Sequence, residues 1–123
     1  MAPEVWLVPV CMTVHNAEEA FGADRFLSDL GRLLPWARIR TRAFLAALVL
    51  LTAGTWVVAA LAASDGTDPW LEVLVGLQLA LAVNAFVPHL LLLAVLRRYS
   101  PGLLSAALLN LPVAAYLLVW LHR

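Results

Sequence analysis

Along the chain, apolar residues gather into four long stretches divided by short polar links. Ala43 to Ala63, Trp70 to Leu96 and Leu103 to Leu121 are nearly continuous runs of Leu, Ala and Val, and each reaches the ~20 residues with which a helix crosses a bilayer. Val5 to Ala23 is long enough too, but the stretch H-N-A-E-E at residues 15–19 interrupts it. It reads as a fourth spanning helix and not as a cleavable leader, since no Lys or Arg precedes it and ionisable groups break its apolar run. After it, Phe26, Leu27, Leu30, Leu33 and Leu34 recur at helical spacing behind Asp24, and Pro35 follows. That pattern predicts an amphipathic helix over about residues 25–34, capped by Asp24 and lying along a membrane surface. The expected fold is all-α: a four-transmembrane-helix bundle with one cytoplasmic interfacial amphipathic helix, a single integral membrane domain over residues 1–123.

Composition agrees with this pattern. Of 123 residues, 63% are apolar and 13% charged, where soluble domains hold about half and about a quarter. The net charge is zero and every basic residue is Arg. These Arg are scattered between the runs, so the expected partner is the lipid bilayer and no nucleic acid is expected. Cys11 is the lone cysteine; it cannot form an internal disulfide and reads as a small hydrophobe.

Charge sets the orientation. Arg25, Arg32, Arg38, Arg40 and Arg42 fall in the first link and Arg97 and Arg98 in the third, while S-D-G-T-D-P at residues 64–69 has none. The positive-inside rule then puts the first and third links in the cytoplasm and both termini outside, as in a multi-pass protein of a bacterial inner membrane. Trp6, Trp36, Trp70 and Trp120 fall near run ends, where aromatic anchors collect.

This topology turns the polar residues into a site. His15 lies about seven residues from the inner end of its run, or roughly 10 Å deep at about 1.5 Å per residue. Asn84 and His89 on the third run and Asn110 on the fourth come to a similar level. His15, Glu18 and Glu19 stand at i, i+3 and i+4, on one helix face. Asn84 and His89 are five apart, which an ideal helix would splay, but Pro88 between them should kink it and turn both inward. Each ionised group at membrane depth costs about 2.5 to 3.5 kcal/mol on insertion scales, and adjacent carboxylates also repel. A bound cation, a shared proton or nearby His and Asn donors must offset that. The blander alternative is a polar helix end dipping into headgroups.

The ordered set H-N-A-E-E, N-A-F-V-P-H, R-R-Y-S-P-G and N-L-P resembles the HXXEE-domain family of small bacterial membrane proteins. The resemblance spans about residues 5 to 121 and carries the family pattern onto His15, Glu18, Glu19, Asn84, His89, Pro101 and Gly102. It implies a membrane site without naming its chemistry.

Three readings follow. In the first, His15, Glu18, Glu19 and His89 bind a divalent metal (Zn, Fe or Mn) that activates water or polarises a substrate. In the second, His15, Glu18 and Glu19 act as metal-free acid and base. Either enzyme would hydrolyse, isomerise or cyclise a lipophilic small molecule, with Asn84 and Asn110 touching the substrate or supporting the site. The third is a proton or cation carrier, or a regulatory membrane subunit. Four short helices leave little room for alternating access, so a carrier would need to be a homo-oligomer. The orientation has a direct test: a reporter fused after Arg123 should behave as extracytoplasmic, and a cytoplasmic signal would overturn the depth argument with it.

Overall fold

The computed structural model describes residues 3–65 and 68–121. Arg123 and part of the S-D-G-T-D-P link lie outside the described residues. Those described form helices and turns, with no strand among them. A 3-10 turn, Pro3–Trp6, leads into α1, Leu7–Phe21. Then come α2, Ala23–Leu33, and α3, Thr41–Asp65. α4, Asp68–Asn84, passes through a wide turn, Ala85–Leu90, into α5, Leu91–Leu96. The last run is α6, Leu103–Ser105, a wide turn, Ala106–Asn110, and α7, Leu111–Leu121.

Three helical runs are long and apolar enough to cross a membrane: Thr41–Ser64, Pro69–Leu96 and Leu103–Leu121. The expected number was four. The first stretch falls short because α1 has only 15 residues, carries the polar motif, and stops where Gly22 turns the chain. Gly22 is required there, since a Cβ would come within 2.3 Å of Pro101 Cγ. The α1–α2 corner thus seats directly on the turn that joins α5 to α6.

Both apolar interruptions occur beside prolines. Val87 leaves helical geometry (φ −131°, ψ 111°) before Pro88, as the residue before a proline tends to. In the last run, Pro112 lacks an N–H and crowds the preceding turn, and the helix widens over Ala106–Asn110. Between these runs, Arg97 (φ 52°) and Gly102 (φ 94°) both adopt left-handed backbone, which closes the α5–α6 connection tightly.

The core has two parts: Val5, Val8, Ala59, Ala62, Leu74 and Leu117 pack together, and Cys11, Met12 and Leu81 form a second group. Elsewhere the runs turn apolar side chains outward, with Leu50 72% and Leu108 70% exposed. An apolar exterior of this kind suits lipid better than water. Polar ties join the helices: Asn16 Nδ2 donates to Leu48 O (3.1 Å) and Thr52 Oγ1 (2.8 Å), binding α1 to α3.

α2 has the predicted amphipathic pattern but a different start. Gly22 precedes its first turn, and Asp24 lies inside that turn, where it accepts from Thr41 Oγ1 (2.7 Å) instead of capping the helix. Buried Asp29 pairs with Arg98, and Arg25 donates to Tyr99 O (3.0 Å). Arg98 therefore fastens α2 to the α5–α6 turn, a role its sequence context, which reads as a topology determinant, does not reveal. Arg98→Ala leaves the Asp29 carboxylate buried without its cation and should lower stability by roughly 1–3 kcal/mol. Arg97→Ala should shift it far less. Thermal unfolding of both variants in detergent checks this, and equal midpoints would refute the pairing.

Candidate functional site

The kinked third run and α1 bring two imidazoles and one carboxylate together. His15 Nε2 lies 3.3 Å and His89 Nε2 3.0 Å from Glu19 Oε1. All three residues are buried, and their ligand atoms lie within 4.8 Å of one another. The two rings meet edge to face at 5.2 Å. Asn84 Nδ2 sits 3.0 Å from His15 Nε2 and 3.3 Å from His89 Nε2. With Val87 extended, the five-residue spacing of Asn84 and His89 presents both side chains to one point.

The other ring nitrogens face serine hydroxyls. His15 Nδ1 lies 2.9 Å from Ser105 Oγ, and that hydroxyl donates its proton to Gly102 O (3.2 Å). With an acceptor in Gly102 O, the Ser105 hydroxyl can offer its lone pair to His15 Nδ1, which suits the Nδ1–H tautomer of that ring. His89 Nδ1 stands likewise 3.4 Å from Ser100 Oγ, which donates to Pro101 O (3.5 Å). In the Nδ1–H form of each ring the Nε2 lone pair faces inward, against a carboxylate oxygen that is also an acceptor; in the other form Nε2–H donates to Glu19. Asn84 can donate to the nitrogens but gives Glu19 nothing. With both rings in the Nδ1–H form, the three electron-rich atoms call for a cation between them, whether a metal or a proton.

A metal fits the geometry. A tetrahedral ion with ligands at ~2.0–2.1 Å sets neighbouring ligand atoms about 3.3 Å apart. The two imidazole-to-carboxylate separations, 3.3 and 3.0 Å, are close to that edge. Imidazoles holding a metal through Nε2 while donating Nδ1–H to an outer acceptor are the usual arrangement, and Ser105 and Ser100 occupy those outer places.

Glu18 faces elsewhere. Its carboxylate accepts from Leu104 N (3.1 Å), Ser105 N (2.8 Å) and the Tyr99 hydroxyl. Burial, with the Glu18 carboxylate beside it, pushes the Tyr99 phenol up to about 12, so it remains a donor at neutral pH. Asn110 is buried, but neither polar atom of its side chain has a partner among the described residues; its carbonyl accepts from Gln78 Nε2 (2.9 Å). The last run instead reaches the cluster through Ser105. Sequence reasoning passed over Ser100, Ser105 and Gln78. A hydroxyl at the start of the fourth run, level with His15, was the available signal for Ser105.

A cavity of about 550 Å³ adjoins the cluster. Its polar lining is His15, Asn16, Glu19 and Asn84; the rest is apolar, including Phe26 and Leu30 of α2, Leu48 of α3 and Leu77 of α4. It reaches the outer surface beside Leu51 and Val87, which are exposed apolar residues. Phe26 also stacks near His89 (5.4 Å between ring centres) and Phe44 (5.5 Å), so α2 covers the site.

An all-α chain with three membrane-length helices and a buried His-Glu-His cluster is thus the class that the geometry defines. The chain matches the family described as "Protein of unknown function with HXXEE motif" over residues 6–117 and belongs to that family. It is 27% identical over 103 residues to "Uncharacterized protein YrkK" of Bacillus subtilis (strain 168), covering 83% of this chain. The chain spans 64% of that relative's length. No solved structure matches it.

Gly102 packs against the cluster. A Cβ there would lie 2.5 Å from His89 Cε1 and 2.9 Å from Glu19 Cγ, on a left-handed backbone. Gly102→Ala should cost at least ~1–2 kcal/mol from backbone alone, with further loss as His89 is displaced. Gly31→Ala, with nothing within 4 Å of the added methyl, should be neutral or slightly stabilising. Thermal midpoints of the two variants compare them, and a fully tolerated Gly102→Ala would contradict this packing.

Proposed function

We propose that the protein is a membrane-embedded, metal-dependent enzyme that hydrolyses, isomerises or cyclises a lipophilic small molecule. In this reading all four helical stretches cross a bacterial inner membrane, with α1 as the short polar member, both termini outside and α2 on the cytoplasmic surface. The observation that carries it is the convergence of two Nε2 atoms and Glu19 Oε1 beside an apolar cavity that reaches the lipid-facing surface. His15, Glu19 and His89 would hold Zn, Fe or Mn, and a metal there would act as a Lewis acid or lower the pKa of a bound water. The chain's own residues do the rest. Apolar walls from α2, α3 and α4 admit and orient a greasy substrate, Phe26 excludes water from His89, and the Asn84 amide lies where it can hydrogen-bond a reacting oxygen. Without a metal, the same carboxylate and imidazoles would share a proton and work as acid and base.

A second reading, a proton or cation carrier, draws on one further observation. Gln78 and Asn110 place unpartnered buried polar atoms beyond the cluster, as stations of a pathway would. The enzyme reading has the better support because the cavity brings His15, Glu19 and Asn84 to one wall and has room for a ligand.

The metal has a direct measurement. Wild-type protein in detergent should carry near one equivalent of a divalent metal per chain, and His15→Ala, Glu19→Ala and His89→Ala should each lose most of it while still inserting. Elemental analysis of the four proteins decides this. A wild type free of metal that still turned over substrate after chelation would leave acid–base catalysis by the Glu19–imidazole group.

A further inference from the structure

We infer that Glu18 is a positioning residue: it locks the α5–α6 connection so that Ser105 and Ser100 hold both imidazoles with their Nε2 lone pairs aimed at one point. The inference rests on the site reading above but assigns Glu18 a task apart from metal ligation or proton transfer.

Glu18 follows His15 by three residues and precedes Glu19 by one, so on a helix its side chain is turned about 100° from that of Glu19. Glu19 enters the cluster while Glu18 reaches across to the last helical run. There one carboxylate oxygen takes the Ser105 N–H and the other takes the Leu104 N–H and the Tyr99 hydroxyl. Both amides belong to the first turn of the run, where backbone donors lack intrahelical partners. A carboxylate satisfying two of them fixes where that turn stands relative to α1.

What the turn carries gives this its consequence. Ser105, whose amide Glu18 holds, sets its hydroxyl 2.9 Å from His15 Nδ1, where it is the acceptor that the Nδ1–H tautomer requires. Gly102, three residues earlier, packs on His89 and Glu19 and supplies the carbonyl that takes the Ser105 hydroxyl proton. Ser100, next to the Tyr99 that donates to Glu18, faces His89 Nδ1. If the turn shifted, Ser105 Oγ would leave Nδ1 and His15 could move its proton to Nε2, where it would block the ligand lone pair. The two glutamates thus divide the work: one belongs to the cluster, the other holds in place the groups that prepare it.

The test uses the full chain with 15N-labelled histidine in detergent, stripped of metal. Ring nitrogen shifts distinguish the two neutral tautomers. Wild-type His15 should be the Nδ1–H form, and Glu18→Ala should lose that single-tautomer signature. Zinc affinity, measured by competition with a chromophoric chelator, should fall about tenfold or more, as when outer partners of a metal site are removed. Glu18→Gln retains one acceptor oxygen and should fall between wild type and Glu18→Ala; it decides the matter if the alanine variant does not fold. A purely structural Glu18 would lower the thermal midpoint of either variant while leaving the tautomer and zinc affinity as in wild type, and that result overturns the inference. So would an Nε2–H tautomer at His15 in the wild type. A wild type that binds no zinc would remove the metal reading alone, because the tautomer signature still reports on Glu18.

Discussion

A carboxylate enclosed by two imidazoles inside an apolar bundle is the constraint from which the rest follows. Glu19 is 5% exposed, His15 1% and His89 0%, so none of them can turn to water for its hydrogen bonds. An unpaired charge in such a place costs several kcal/mol, more than any one surface contact returns. The neighbourhood is accordingly built to compensate it. A bent third run supplies His89 and Asn84, the α5–α6 turn and α6 each supply a serine hydroxyl, and Gly102 lets backbone approach where any side chain would collide. Even the short, polar α1 is explained by it, because a more apolar helix would span a membrane more readily and carry no site.

Much of this was legible in the amino-acid order, for identifiable reasons. The three apolar runs, the amphipathic α2 and the proline bend all follow from local rules that need no tertiary knowledge. The meeting of His15, Glu19, Asn84 and His89 was readable because polar residues in apolar runs are few, and their depth restricts which of them can touch. What stayed hidden depends on direction around a helix. Positions i+3 and i+4 share a broad face with position i, yet they differ by about 100°, enough to send Glu18 to the last run and Glu19 to the cluster. Spacing alone treats the two as equivalent.

Small hydroxyls were the other blind spot. Ser100 and Ser105 are common residues beside a turn, where a local backbone bond is the default expectation. Here they make that bond and also face a ring nitrogen, so the local reading is correct and incomplete. Arg98 shows the same duality. Its place at the end of an apolar run suffices to set topology, and nothing in the pattern discloses that buried Asp29 on α2 is its partner. Asn110 went the opposite way: its level in the bundle suggested a contact with the cluster, but its side chain points to no partner among the described residues and only its carbonyl is used, by Gln78.

The cover over the site ties these features to function. α2 is fixed to the α5–α6 turn by Asp29–Arg98 and by Arg25 on the Tyr99 carbonyl, the same turn that Glu18 holds from α1. Phe26 of α2 rests between His89 and Phe44, and Leu30 continues the cavity wall. One short connection, residues 97–102, is therefore gripped from two sides and carries Ser100 and Gly102 between the grips. Few residues separate the surface of the bundle from its cluster, and a chain of this length can hold a buried polar group in register because the same turn anchors both its cover and its support.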